Sequence, residues 1–225
     1  MKKKLVLSLA PLMAVAAIAV VPVAAQATPQ PHWFINGVFA GATPTPAIQW
    51  GSISFVGVAG TPPGSFVTCH SAQAGTVENT AITIPGQDQI QASAAFDCEE
   101  TGGFCPGVPP HTVSAIAANI PWPSKLVFAG TVIEDETTDV DLTVMCHSEP
   151  TEIKFVTNAT SKCCKALSPI FRHGTSATHP GFLEYGAGSG QLEVEGSKET
   201  ITVRVEGEVK VLGFAEQELI SVKNS

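Results

Sequence analysis

Two patterns of apolar residues divide the chain of 225 residues. Residues 5–23 form one apolar run broken only by Ser8, Pro11 and Pro22, whereas beyond residue 28 apolar and polar positions tend to alternate with a period of two. A period of two places one face of a strand against a core and the other in water. It marks strands at 48–56, 65–69, 81–84, 90–96, 112–118, 126–133, 140–146 and 152–156, a further one after Pro180, and others at 191–195, 200–206, 208–214 and 217–222. In the 200–206 segment Ile201, Val203 and Val205 share one face while Thr202, Arg204 and Glu206 share the other, and Glu206-Gly207-Glu208 reads as a turn. Asn36-Gly37 between two apolar runs is a strong hairpin signal. No segment keeps a helical period, and 20 Gly and 17 Pro punctuate the chain. The expected fold is all-β and antiparallel, a β-sandwich or partly closed barrel.

A weak internal similarity suggests two related β units. Gly51-Ser52-Ile53-Ser54 leads through a Gly/Pro turn to Cys69-His70, and Gly130-Thr131-Val132-Ile133 leads through an acidic turn to Cys146-His147. Both read as hairpins ending in Cys-His, which divides the chain into 28–120 and 121–225, with a boundary near 107–110 or before Pro121. The two halves are also compatible with a single packed domain.

The early apolar run has a separate meaning. Lys2, Lys3 and Lys4 precede it and Ala25-Gln26-Ala27 follows it, the layout of a secretory signal peptide occupying 1–27. Removing it lowers Lys plus Arg from 12 to 9 against 20 acids, a formal balance of −11. That charge repels phosphate backbones and anionic lipid, so neither nucleic acid nor stable membrane insertion is expected.

All six cysteines, Cys69, Cys98, Cys105, Cys146, Cys163 and Cys164, lie in the exported part, where disulfides are expected. Cys98 and Cys105, separated by a stretch containing Gly102-Gly103, form the nearest local pair; the adjacent Cys163 and Cys164 are expected to reach different partners, Cys69 and Cys146. Zinc binding by Cys69-His70 and Cys146-His147 is disfavoured, because neighbours on a strand face opposite ways. The acidic run 134–141, with Glu134, Asp135, Glu136, Asp139 and Asp141, offers hard oxygen ligands for calcium, but it lacks the glycine-hinged spacing of a calcium loop and reads as a solvated hairpin tip.

The chain has no G-x-S-x-G, H-E-x-x-H, S-x-x-K, P-loop or dinucleotide glycine motif, and no cofactor is expected. His173 and Ser176 place a base near a hydroxyl without a third group to orient them. Trp33, Trp50 and Trp122 are candidates for a sugar-stacking platform, although core positions are the more ordinary place for tryptophan in a β protein. Asn158-Ala159-Thr160 fits a glycosylation acceptor.

Trp33-Phe34-Ile35-Asn36-Gly37, Val67-Thr68-Cys69-His70 with Val77-Glu78-Asn79, Ile120-Pro121-Trp122-Pro123, Gly174-Thr175-Ser176-Ala177 with His179-Pro180-Gly181-Phe182-Leu183-Glu184, and the 207–214 and 217–220 segments resemble phrases of β-rich secreted proteins from soil actinobacteria. The resemblance implies export from a bacterial host; that group has no assigned activity, so it implies no catalytic or ligand residue. The expected role is a secreted non-catalytic module binding an extracellular or cell-envelope partner. The alternatives are a secreted hydrolase with a site assembled from scattered residues and, third, a structural coat component.

Overall fold

The structure, a computed structural model, describes residues 29–62, 64–105, 112–147, 151–176, 178–195, 202–213 and 218–224, without the side chains of 202–205, 209 and 224. Residues 1–27, read above as a signal peptide, the 107–110 boundary, His111 and the 200–206 alternation apart from Glu206 lie outside what is described.

Every described element is a strand. In chain order they are β1 (Pro31–Ile35), β2 (Val38–Phe39), β3 (Thr45–Ala59), β4 (Phe66–Glu78), β5 (Gln87–Thr101), β6 (Thr112–Ala117), β7 (Trp122–Ala129), β8 (Val132–Thr137), β9 (Asp141–Cys146), β10 (Thr151–Val156), β11 (Ile170–Arg172), β12 (Gly181–Tyr185), β13 (Gln191–Val194), β14 (Thr202–Gly213) and β15 (Ile220–Asn224). The expected all-β antiparallel fold is present, and it closes on itself.

Four long strands, in the order β5-β4-β3-β14, form a continuous wall. Two groups of short strands close it. At one end β6, β9, β10 and β13 connect β5 back to β14, completing an eight-stranded ring. At the other end β7, β8, β11 and β12 do the same, with β7 on the first residues of β5 and β12 on the last half of β14. Two eight-stranded rings therefore share one wall and lie end to end over a continuous core running from Trp33 to Val144 and Phe155. Closure removes unpaired edges, which would otherwise invite association with other chains.

Both ends carry an aromatic plug. At the β7–β12 end, the small sheet β15-β1-β2 lays Trp33, 1% exposed, edge-on against Phe171 at 5.6 Å. Asn79 ties this sheet down, accepting from the Trp33 backbone N–H and donating to the Trp33 and Ala40 carbonyls. At the other end Phe104 packs 5.7 Å from Phe155, and the Phe104 N–H donates to the buried Glu100 carboxylate.

Several local expectations change. Asn36 (φ 49°) and Gly37 (φ 79°) make the expected hairpin turn. Residues 81–84 are a turn, with Ile84 N–H donating to Ala81 O, and not a strand. The expected strand 126–133 is a hairpin reversing at Gly130 between β7 and β8. Gly207 is not a turn but sits inside the continuous strand β14 at φ 133°. A Cβ there would lie 2.1 Å from Ser52 O, so glycine allows the backbones of β3 and β14 to approach. The proposed pair of hairpins is half present: β3 and β4 pair, but β8 pairs with β7 and β11 while β9 pairs with β6 and β10. Strands from 28–120 and from 121–225 occur in both rings, and β14 pairs along β3 over almost its whole length.

All six cysteines are in disulfides, with partners other than those expected. Cys69 joins Cys98, Cys105 joins Cys146, and Cys163 joins Cys164. Cys69 and Cys98 face each other from the neighbouring strands β4 and β5, with Cα atoms 4.1 Å apart, and Cys105 is carried by the Phe104 plug to the end of β9. The Cys98–Cys105 assignment fails because Cys98 lies within β5 pointing at β4, a direction set by strand pairing and not by the nearby glycines.

Candidate functional site

The outer face of the wall carries a groove of about 700 Å³. Strand pairing builds it: Phe182 on β12, Lys210 on β14 and Trp50 on β3 lie in one cross-strand row, and Glu184, Glu208 and Ser52 lie in the next. These are even-numbered outward positions, whereas Ile53, Phe55 and Val211 point into the barrel. The segment between β11 and β12 supplies the remaining wall with His173, Thr175, Thr178 and His179. That segment is held as a short hairpin by Thr175 N–H donating to His179 O and by a Ser176–His179 bridge. Trp50 and Phe182 are half-buried, so each presents part of an apolar ring, while His173, His179, Lys210 and Glu208 are exposed. Partly apolar walls with a few separated polar groups are the usual composition of a ligand groove.

The three tryptophans do not form one platform. Trp33 and Trp122 are buried at 1% and 3% exposure, and Trp122 Nε1–H donates to Ala118 O, which leaves Trp50 for contact with a ligand. His173 does not meet Ser176. Instead the Ser176 hydroxyl contacts Thr178 Oγ1 at 2.9 Å, and Thr178 Oγ1 contacts His179 Nδ1 at 3.2 Å. Beside the groove, Ser52 Oγ lies 3.2 Å from His70 Nδ1, a pair sequence spacing did not reveal because its members come from two strands. Phe96 packs near the His70 ring at 5.9 Å, and among the described residues no carboxylate hydrogen bond orients that ring. Cys69 and Cys146 are buried in disulfides, whereas His70 and His147 are exposed on the other face.

The acidic run 134–141 is not a hairpin tip. Glu134, Asp135 and Glu136 belong to β8, and Asp141 begins β9. Asp139 sits in the connection at φ 57°, and the buried Asp141 carboxylate pairs with Lys154 at 3.1 Å and accepts from Asn119. Glu136 pairs with Lys125 at 2.9 Å. Asp135 turns inward, where it meets Asp88 of β5. Burial pushes the Asp135 carboxyl up to about 6. Burial also holds Asp88 well above the ordinary carboxylate range, reinforced by the Asp135 charge and by its hydrogen bond with Asp135. The Tyr185 phenol is raised first by burial and then by these two carboxylates. Asn158, of the glycosylation motif, donates through Nδ2 to Glu193, while its Oδ1 accepts from Thr160.

No protein-family model matches the chain, and neither a curated protein nor a solved structure matches it.

Proposed function

We propose that the protein is a secreted, non-catalytic binding module whose outer groove takes a polysaccharide or similar polymer outside the cell or in its envelope. The Trp50–Phe182 groove carries this reading: it offers ring faces for stacking on a sugar, and Lys210, Glu208, His173 and His179 around it for hydroxyl groups. The three disulfides are consistent with an extracellular location, where such bonds persist. Among the described residues no helix is long and apolar enough to cross a membrane.

The test uses tryptophan fluorescence, since Trp50 is the tryptophan open to the groove and Trp33 and Trp122 are buried. Titration with soluble fragments of cell-wall polysaccharide is expected to change the emission, and Trp50→Ala to weaken binding at least about tenfold, the loss of one good stacking contact. Equal retention of wild type and Trp50→Ala on every wall polymer refutes the reading.

The Ser52–His70 pair supports a second reading, a hydrolase acting at the edge of the same groove. Turnover of a generic ester that disappears in both Ser52→Ala and His70→Ala favours it.

A further inference from the structure

Strand alternation divides the acidic run and gives one of its members a distant partner. Asp88, Ser124 and Thr137 are direct cross-strand neighbours across β5, β7 and β8, and all three face inward. Asp135 lies two residues before Thr137 on the same face of β8. Two carboxyl groups and two hydroxyls thus converge on one patch of the inner wall, where Ser124 Oγ and Thr137 Oγ1 are 2.6 Å apart. Asp88 is 8% exposed and Asp135 1%, and the Oδ1 atom of each is shielded from solvent without a hydrogen-bond partner. Among the described residues neither forms an ion pair with Lys, Arg or His. Two adjacent carboxylates buried without a counter-charge are strongly unfavourable, and a cation is one way to offset them.

A cleft of about 410 Å³ lies on the outer face of the same strands, lined by the outward side chains of Gln87, Gln89, Lys125 and Glu136, so the buried pair is shut off from it by the sheet. The one Lys on this cleft, Lys125, is already paired with Glu136.

We propose that Asp88 and Asp135 form a binding site on the inner wall for a hard divalent cation of the calcium or magnesium type, with Ser124 and Thr137 supplying further oxygens. Carboxylate and hydroxyl oxygens are the donors such cations prefer. The site is independent of the outer groove, which lies on the opposite face of the wall.

The experiment measures the thermal midpoint of the purified mature protein at pH 8 in EDTA, in CaCl2 and in MgCl2. A cation at about 100-fold its Kd is expected to raise the midpoint by about 5 °C or more for a chain of this size. The rise is lost in Asp88→Asn and Asp135→Asn and kept in Glu195→Gln, an acid on a different cleft. No rise with either cation in the wild type, or a rise that survives both Asn variants, overturns the proposal. If an Asn variant fails to fold, terbium luminescence excited through Tyr185 of the unaltered protein decides: emission displaced by calcium and weakened in Ser124→Ala supports the site, and its absence overturns it.

Discussion

Asp88 and Asp135 make the stability of the barrel depend on pH in an unusual direction. Asp135 titrates near 6 against an ordinary value of 3.8, so the folded chain holds protons more tightly than the unfolded chain. A raised acid contributes full stability below its unfolded value and loses it as pH rises through its folded value. The displacement of about two pH units corresponds to about 3 kcal/mol lost between about pH 4 and pH 7. Asp88 is raised too, by burial first and then by the Asp135 charge, and acts in the same direction. The groups facing the pair are Ser124 of β7, Thr137 of β8 and Tyr185 of β12, while Lys125, Glu134 and Glu136 lie on the outer face, where Lys125 is engaged by Glu136. Glu134 is also raised, by partial burial and by Glu136. The informative quantity is the difference between wild type and Asp135→Asn, which removes the titrating carboxyl while nearly keeping its shape. Urea unfolding in EDTA at pH 4.5, 6 and 7.5 is the assay. Asp135→Asn is expected to gain on wild type as pH rises, by about 2 kcal/mol between pH 4.5 and pH 7.5. Parallel pH profiles for the two proteins, or a wild type that gains on the variant with rising pH, refute the argument.

Three further outcomes follow from the covalent and backbone structure. Peptide mapping of non-reduced protein is expected to recover Cys69–Cys98, Cys105–Cys146 and Cys163–Cys164 with no labelled free thiol, and Cys105→Ser with Cys146→Ser is expected to lower stability by about 4 kcal/mol from lost closure of a separation of 41 residues. Gly207→Ala is expected to cost about 2 kcal/mol or more in chemical denaturation, since its Cβ would meet Ser52 O at 2.1 Å at a positive φ; an unchanged midpoint refutes the close approach.

Alternation is a local property, and it was legible. A period of two, the Asn36-Gly37 turn and frequent Gly and Pro were enough to identify an all-β antiparallel chain, because each strand must divide its own side chains between core and water. Local pattern was less informative where one residue had to stand for a distant event. Gly207 reads as a turn in isolation, and only the approach of β3 explains a glycine within a strand. Cys98 has a near neighbour in Cys105, but its side chain points across the ladder to Cys69. Of the groove residues, Trp50 and His173 were visible as candidates, while Phe182, Lys210 and Glu208 are ordinary strand residues until β12, β14 and β3 align them. The acidic run shows the same limit. Its composition was evident from the sequence, but the partition into outward Glu136 and inward Asp135, and the meeting of Asp135 with Asp88, depends on ladders between strands far apart in the chain. Side-chain period is set within a segment, whereas pairing partners are chosen by closure of the whole barrel. The strands could therefore be read from the sequence, and the sites between them came only from the tertiary structure.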